Sequence, residues 1–226
     1  MPASSAPRVL RSWTPSHYMK FGAQRLRPAL DLLQAIQLPS TASDVVDLGC
    51  GPGNLTPFLR KATSPKALTT WTRYFGSPRF GCSTRTLTLN DVGGVLAFQM
   101  PDTRQQPSHV LMGEAAKHVG FDVSKVRWVT TDVNADAYYN LLRPLASEVH
   151  LWSTEYVYQL AGGEGVHPVV DFVSSSGLGP YVDALTPSQR PVFMDAYKDL
   201  IATAYPRLED GTVLLPYKRF FCVVVR

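Results

Sequence analysis

The sequence predicts an α/β fold built on a doubly wound sheet, and three observations carry that prediction. Asp44-Val45-Val46-Asp47-Leu48 reads as a short buried strand, followed by glycines at positions 49, 51 and 53 and by a helical start over Leu55 to Lys61. Val92 to Met100 and Val149 to Leu160 carry the aliphatic and aromatic character of strands. Between and around them, His17 to Leu38 and Thr186 to Tyr205 show helical spacing. A strand, a glycine turn and a helix N-terminus form the ligand-binding corner of such a sheet.

The chemistry of that corner follows from its spacing. Glycine is needed where backbone turns tightly or approaches a ligand without a Cβ in the way. The dinucleotide pattern G-x-G-x-x-G aims a helix N-terminus at a pyrophosphate. Here the third glycine comes one residue early, and Asn54 stands where that pattern wants glycine. Asp47, just ahead of the first glycine, repels a pyrophosphate and suits a cationic ligand. A tight turn with no ligand is the bland alternative, and a nicotinamide-dependent oxidoreductase the other. The run D-x-G-x-G-x-G resembles the first motif of S-adenosylmethionine-dependent methyltransferases. That resemblance implies S-adenosyl-L-methionine as cofactor, a sulfonium with an amino group, held by Asp47, Gly49, Cys50, Gly51, Gly53 and Asn54.

Composition narrows the setting. The 226 residues suit one α/β domain or a domain with a cap, and 45% apolar content suffices for a sizeable core. The longest apolar run, Phe220 to Val225, is too short to cross a bilayer, and Met1 to Pro7 has no hydrophobic signal core. Three cysteines, Cys50, Cys82 and Cys222, show no metal spacing, which fits a reduced, cytoplasmic protein with no metal site. The net charge is +4. Arg60, Lys61, Lys66, Arg73, Arg79 and Arg85 lie between Asp47 and Asp91 with no acid among them, and without these six the balance is −2. The basicity is therefore local. With no nucleic-acid module beside it, neither nucleic acid nor membrane is the expected partner.

Taken in order, residues 1–12 are Pro/Ser/Ala-rich and predicted disordered. Tyr18, Phe21, Leu26, Leu30, Leu33 and Ile36 mark a helical face, with Pro28 predicted to separate two helices. Residues 13–44 read as a helical lid whose Arg25 and Arg27 face an anionic substrate, or as core packing. Gly93-Gly94 suits a tight turn before an inner strand. Pro107 to Val119 is a predicted helix with His109 on its first turn, at the mouth of a site or facing solvent. Ala135 to Leu142 is a short helix. Trp152 and Tyr156 share a strand face by the two-residue period, as site or core aromatics. Residues 161–185 read as a cap or insert. Thr186 caps the last helix in a box with Gln189, and Phe193, Tyr197, Leu200, Ile201 and Ala204 form its apolar stripe. Thr212 to Arg226 is a strand broken by Pro216, with Lys218 and Arg219 as an edge pair or substrate anchors.

The pattern at Trp13, Pro15, Tyr18, Phe21, Arg25, Arg27, Pro28 and Ala29, with Val45 to Asn54, resembles trans-aconitate 2-methyltransferases. Three later segments add to this: Gly93 to Asp102 with Pro107-Ser108-His109, like the family's fifth strand and following loop; Trp152 to Tyr156, like its sixth strand; and Ala204-Tyr205-Pro206 through Asp210-Gly211, with Leu215 to Phe221, like its last strand. The resemblance covers residues 13–62 and 92–226. It implies a Rossmann-like class I methyltransferase sheet with a helical cap, acting as a monomer on a small-molecule carboxylic acid. It also implies transfer of a methyl group to one carboxylate of an unsaturated tricarboxylate, giving a monomethyl ester. No catalytic residue is required of the protein, because a carboxylate with a pKa near 4 is already ionised at neutral pH. Tyr18, Arg25, Arg27, His109, Trp152, Tyr156 and Arg219 are the implied substrate-binding residues.

Residues 63–91 do not fit. Thr, Ser and Arg dominate, and the stretch reads as loop with one short strand at Thr84 to Leu89. Strands two, three and four of the family belong here, yet each βα unit takes roughly 20 to 30 residues. The segment is missing or replaced, as a splice variant, a frameshift or a misassembled gene model produces, so the sheet is expected to be incomplete. No acid is available to end strand two and bind ribose hydroxyls. Gly179 also stands where the family's T-x-L-R-P-Y pattern carries arginine. A catalytically impaired isoform is accordingly the alternative to an active enzyme.

Overall fold

The structure, a computed structural model, describes residues 15–37, 44–48, 50, 52–63, 67–71, 93–126, 133–162 and 165–226. Residues 1–12, Gly49, Gly51 and Cys82, and the strand expected at 84–89, lie outside the described residues. The chain order is α1 (Pro15–Lys20), α2 (Gly22–Ala35), β1 (Asp44–Leu48), α3 (Thr56–Thr63), β2 (Ala67–Trp71), β3 (Val95–Pro101), α4 (Pro107–His118), a 3-10 turn (Val123–Lys125), α5 (Ala135–Leu142), a second 3-10 turn (Arg143–Leu145), β4 (Glu148–Leu160), α6 (Pro168–Ser174), α7 (Gly179–Ala184), α8 (Gln189–Ala204) and β5 (Val213–Val225). Among the described residues no helix is long and apolar enough to cross a membrane.

The chain divides into two compact units. The first holds α1, α4, α6, α7 and α8. The second holds α2, α3, α5, β1 to β3 and most of β4 and β5, whose ends at Gln159–Leu160 and Val213–Leu214 belong to the first.

The second unit carries the sheet. β1 and β2 pair in parallel, with Asp47 opposite Thr70 and Leu48 opposite Trp71. β3, β5 and β4 lie side by side in that order. β3 runs antiparallel to β5, from Val95 opposite Val225 to Pro101 opposite Arg219. Alternation then sorts the side chains of β5 onto two faces. Phe220, Cys222 and Val224 join Met100 and Leu142 in an apolar cluster, with Leu96, Phe98, Tyr138 and Leu151 packed against it. This face explains α5: its Leu142 is fully buried, and the ring of Tyr138 stacks on Phe220 with centroids 5.5 Å apart. Burial pushes the Cys222 thiol up to about 12, so this cysteine is an inert apolar filler. The opposite face presents Tyr217, Arg219 and Phe221. The fold is thus α/β, with a partial sheet of two separate strand sets among the described residues.

Two expectations are corrected here. Pro28 does not separate helices: it sits inside α2, and the break falls at Phe21, whose φ of −108° and ψ of 30° are non-helical. An internal proline costs a helix about 3 kcal/mol. The burial of Pro28, with Leu32 one turn on, offsets that cost, and α2 packs against β3 and α3. Pro216 does not break β5 either. The ladder with β3 begins at Arg219, so Pro216 lies beyond it and its missing N–H interrupts no bond to β3. Among the described residues of 63–91 lies one strand, β2, which the sequence did not predict.

The first unit is a helical layer. α4 packs on α8, and α7 lies against α8 through stacked rings. Phe193, Tyr197 and Ile201 recur at i, i+4 and i+8 and are fully buried. Ala204, predicted for the same stripe, is exposed; Tyr205 takes the next inward position. The capping box forms as read: the Gln189 N–H donates to Thr186 Oγ1 at 3.4 Å, and the Thr186 N–H donates to Gln189 Oε1 at 3.1 Å.

Candidate active site

The corner after β1 is built by local chemistry. The Gly53 N–H donates to the Cys50 carbonyl at 2.9 Å, and the Thr56 N–H donates to the Gly53 carbonyl at 3.1 Å. Gly53 has φ +80°, a left-handed conformation that a side chain resists. Asn54 is half-buried in the turn that opens α3, and Cys50 is partly exposed. Asp47 is half-buried at the end of β1, and burial raises its carboxyl above the usual range. Its Oδ2 is buried and, among the described residues, has no hydrogen-bond partner. Gly49 and Gly51 complete the motif in sequence.

A second cluster forms in the same unit, on the sheet face opposite the α5 core. The Arg219 Nε donates to Gln99 Oε1 at 2.6 Å, a diagonal cross-strand contact, and its guanidinium lies 6.0 Å from the Tyr217 ring centroid. Trp152 stacks on Phe221, with centroids 4.9 Å apart and planes 7° off parallel. From α2, Arg27 holds its guanidinium 5.5 Å from the Tyr156 ring centroid. The Tyr156 hydroxyl donates to Asp31 Oδ2 at 2.7 Å. Arg25 lies 6.0 Å from the Phe21 ring centroid, one turn back along α2.

Tyr158 ties these groups together. Its ring lies 6.0 Å from Tyr156 and 5.6 Å from Tyr217. Burial pushes the Tyr158 phenol up to about 12, against the opposing positive charges of Arg219, Arg27 and Arg25. Arg27 thus rests on Tyr156 and Arg219 on Tyr217, and both of those rings stack on Tyr158. Burial and the Asp31 hydrogen bond likewise raise the Tyr156 phenol, so both phenols stay protonated at neutral pH. Lys218, by contrast, pairs with Asp102 at 3.0 Å and serves the strand edge. Sequence reading missed Asp31, Gln99, Tyr158 and Tyr217. The signals were present: Asp31 is one helical turn from Arg27, Tyr158 two residues from Tyr156, and Tyr217 two residues from Arg219.

Tyr18 and His109 belong to the other unit. Tyr18 is half-buried on α1. That helix is anchored by Asp171 of α6, which accepts from His17 Nε2 at 2.8 Å and also pairs with the Lys20 ammonium. Burial pushes the Asp171 carboxyl up, but Lys20 and His17 outweigh it and hold it below the usual range.

His109 is neither solvent-facing nor free to swing: it is 8% exposed. Its Nδ1 lies 3.0 Å from Ser108 Oγ. A Cβ on Gly177 would come within 2.9 Å of Nε2, so only glycine leaves room for the ring. The Ser108 backbone is fixed as well, its N–H donated to Tyr205 and its carbonyl accepting from Tyr197 at 2.6 Å. Burial lowers His109 from the usual 6.5 to about 4. A depressed folded value stabilises fully above pH 6.5, where both states are neutral. That stability is lost as pH falls toward 4, because the unfolded chain takes the proton first. The gap corresponds to about 3 kcal/mol. Denaturant unfolding at pH 7 and pH 4 should show this loss, and His109→Gln should remove most of it. An unchanged pH slope in that variant would contradict a neutral, buried His109.

A half-buried acid at the end of β1, a glycine turn and a helix start, beside a separate strand set in which β5 lies between β3 and β4 and runs antiparallel to β3, fit an α/β methyltransferase. No family model matches the chain. It is 34% identical to a trans-aconitate 2-methyltransferase of Paracidovorax citrulli over 264 aligned positions, covering 96% of this chain and 99% of that protein. Enzymes of the same name from Sinorhizobium fredii and an Enterobacter species are 33% and 31% identical, over 95% and 96% of this chain and 99% of each relative. The chain belongs to the trans-aconitate 2-methyltransferase family, whose members are S-adenosylmethionine-dependent enzymes. An alignment of 264 positions against a chain of 226 residues leaves at least 38 positions of that relative without a counterpart here. The missing-segment reading of 63–91 agrees with that deficit. Consistent with it, β2 ends at Trp71 with no acid at or after its end before Asp91.

Proposed function

We propose that this chain is a carboxyl O-methyltransferase of a small unsaturated tricarboxylate of the trans-aconitate type, acting as a monomer in the cytosol and yielding a monomethyl ester. The observation that carries the substrate class is the placing of Arg27 on Tyr156 and of Arg219 on Tyr217, two rings that both stack on Tyr158. A polyanion needs several cations, and arginine holds carboxylates through paired donors.

The cofactor class is supported by the corner. A buried oxygen of Asp47 with no partner among the described residues fits a cationic ligand, and no pyrophosphate would lie beside it. Asp47 would hold the amino group of the methionine moiety, with Gly49, Cys50, Gly51, Gly53 and Asn54 passing the backbone close to it. When bound, S-adenosylmethionine supplies an electrophilic methyl on a positively charged sulfur. The protein's own task is then to bind and orient. The arginines hold the non-reacting carboxylates, and Trp152, Tyr156 and Tyr158 exclude water. The attacking carboxylate needs no base, being ionised already. Alignment of oxygen, methyl and sulfur is the main gain in rate. Tyr18 and His109 are carried as further substrate contacts on the family resemblance.

The lack of an acid at the end of β2, where the ribose hydroxyls would be held, favours a second reading, a catalytically impaired chain. Incubation with S-adenosylmethionine and trans-aconitate, followed by mass spectrometry, separates the two. The first reading expects a singly methylated product, lost by about tenfold or more in Arg219→Ala. Binding of the acid without ester supports the second. Neither binding nor ester contradicts both.

A further inference from the structure

We propose that Asp31 is a positioning residue for the substrate cation Arg27, acting through Tyr156; this rests on the carboxylate-binding reading above. Asp31 and Arg27 are one turn apart on α2 and so share a face. The Asp31 carboxylate accepts the Tyr156 hydroxyl at 2.7 Å, and the Tyr156 ring is the surface over which Arg27 lays its guanidinium, 5.5 Å from the centroid. The hydroxyl is thereby committed to Asp31. Tyr156 serves the site with its ring and not as a donor to substrate.

The physical gain is preorganisation. Arg27 is solvent-exposed, and a free arginine side chain loses much rotamer freedom when it grips a ligand. A ring fixed from β4 pre-pays part of that loss. Tyr156 is 5% exposed, so its hydroxyl requires a partner within the protein, and Asp31 is that partner. The arrangement also sets an anion beside the cation cluster, which makes the acceptor role separable from the charge. Asn at position 31 keeps an oxygen that accepts from Tyr156; Ala keeps nothing.

The test is calorimetric titration of trans-aconitate into the full chain in the presence of S-adenosylhomocysteine, for wild type, Asp31→Ala, Asp31→Asn, Tyr156→Phe and the Asp31→Ala/Tyr156→Phe double variant. Asp31→Ala and Tyr156→Phe should each weaken acid binding about tenfold. The double variant should be no worse than either, the mark of two groups acting as one. Asp31→Asn should recover to within about threefold of wild type, and affinity for S-adenosylhomocysteine should not move. Strictly additive losses would overturn the proposal, as would an Asp31→Ala chain that binds the acid like wild type. A wild-type chain that binds S-adenosylhomocysteine but takes up no tricarboxylate would overturn it together with the functional reading.

Discussion

Gly162→Ala is expected to lower the melting temperature by about 10 °C, a loss of about 3 kcal/mol or more. Gly162 follows β4, and its Cα passes within van der Waals contact of Gly211, in the turn between α8 and β5. A Cβ on Gly162 would stand 2.0 Å from the Gly211 carbonyl oxygen and 2.4 Å from its carbon. Both are backbone atoms, so no side chain can rotate away. The turn has little room to retreat. The Gly211 N–H donates to the Leu208 carbonyl at 2.9 Å, the Leu208 N–H donates to the Thr212 carbonyl at 2.8 Å, and Gly211 holds φ +79°. Asp210 braces the same turn, accepting from the Thr212 N–H at 2.9 Å and from its hydroxyl at 3.0 Å. One group or the other must move by more than an ångström, and several hydrogen bonds go with it. Melting followed by circular dichroism measures this. A variant that melts within about 2 °C of wild type would contradict the close approach.

Asp47→Asn should weaken binding of S-adenosylhomocysteine by about ten- to a hundredfold, the range of a lost charge-assisted hydrogen bond. The asparagine is nearly isosteric, so the turn through Cys50, Gly53 and Thr56 is left in place. What changes is the charge. The native carboxylate is partly desolvated, and its buried Oδ2, which has no hydrogen-bond partner among the described residues, is costly to keep. A cationic ligand relieves that cost; asparagine offers it no charge to pair with. The variant should accordingly be as stable as wild type, or more so, while binding less. Loss of stability with unchanged affinity would assign Asp47 a structural role.

What could be read ahead of the structure was local. The β1–glycine–α3 corner depends on residues within a dozen positions, and strand, turn and helix lie where the glycine spacing puts them. The same holds for α5, read at Ala135 to Leu142, and for the box joining Thr186 to Gln189. The misreadings are all cases in which distant packing outweighs local preference. Pro28 and Pro216 look like breaks in isolation, yet one is buried within α2 and the other lies past the end of the β3 ladder. β2 is five residues, Ala67–Trp71, in a stretch of Thr, Ser and Arg; it becomes a strand by pairing with β1. His109 carries a polar side chain on a first helical turn, which reads as exposed. Its burial depends on Gly177, far along the chain. The arginines were named on a family resemblance. The placing of Arg27 on Tyr156 and of Arg219 on Tyr217, and the anchoring of Tyr156 by Asp31, come from α2 meeting the sheet face that β4 and β5 build.

A calorimetric titration of the intact chain with S-adenosylhomocysteine decides whether the corner at Asp47 is a cofactor site. Saturable one-to-one binding, weakened in Asp47→Asn and accompanied by slower alkylation of the partly exposed Cys50, is the expected result. A folded chain that shows no heat of binding, with Cys50 reacting equally fast with and without ligand, would contradict it.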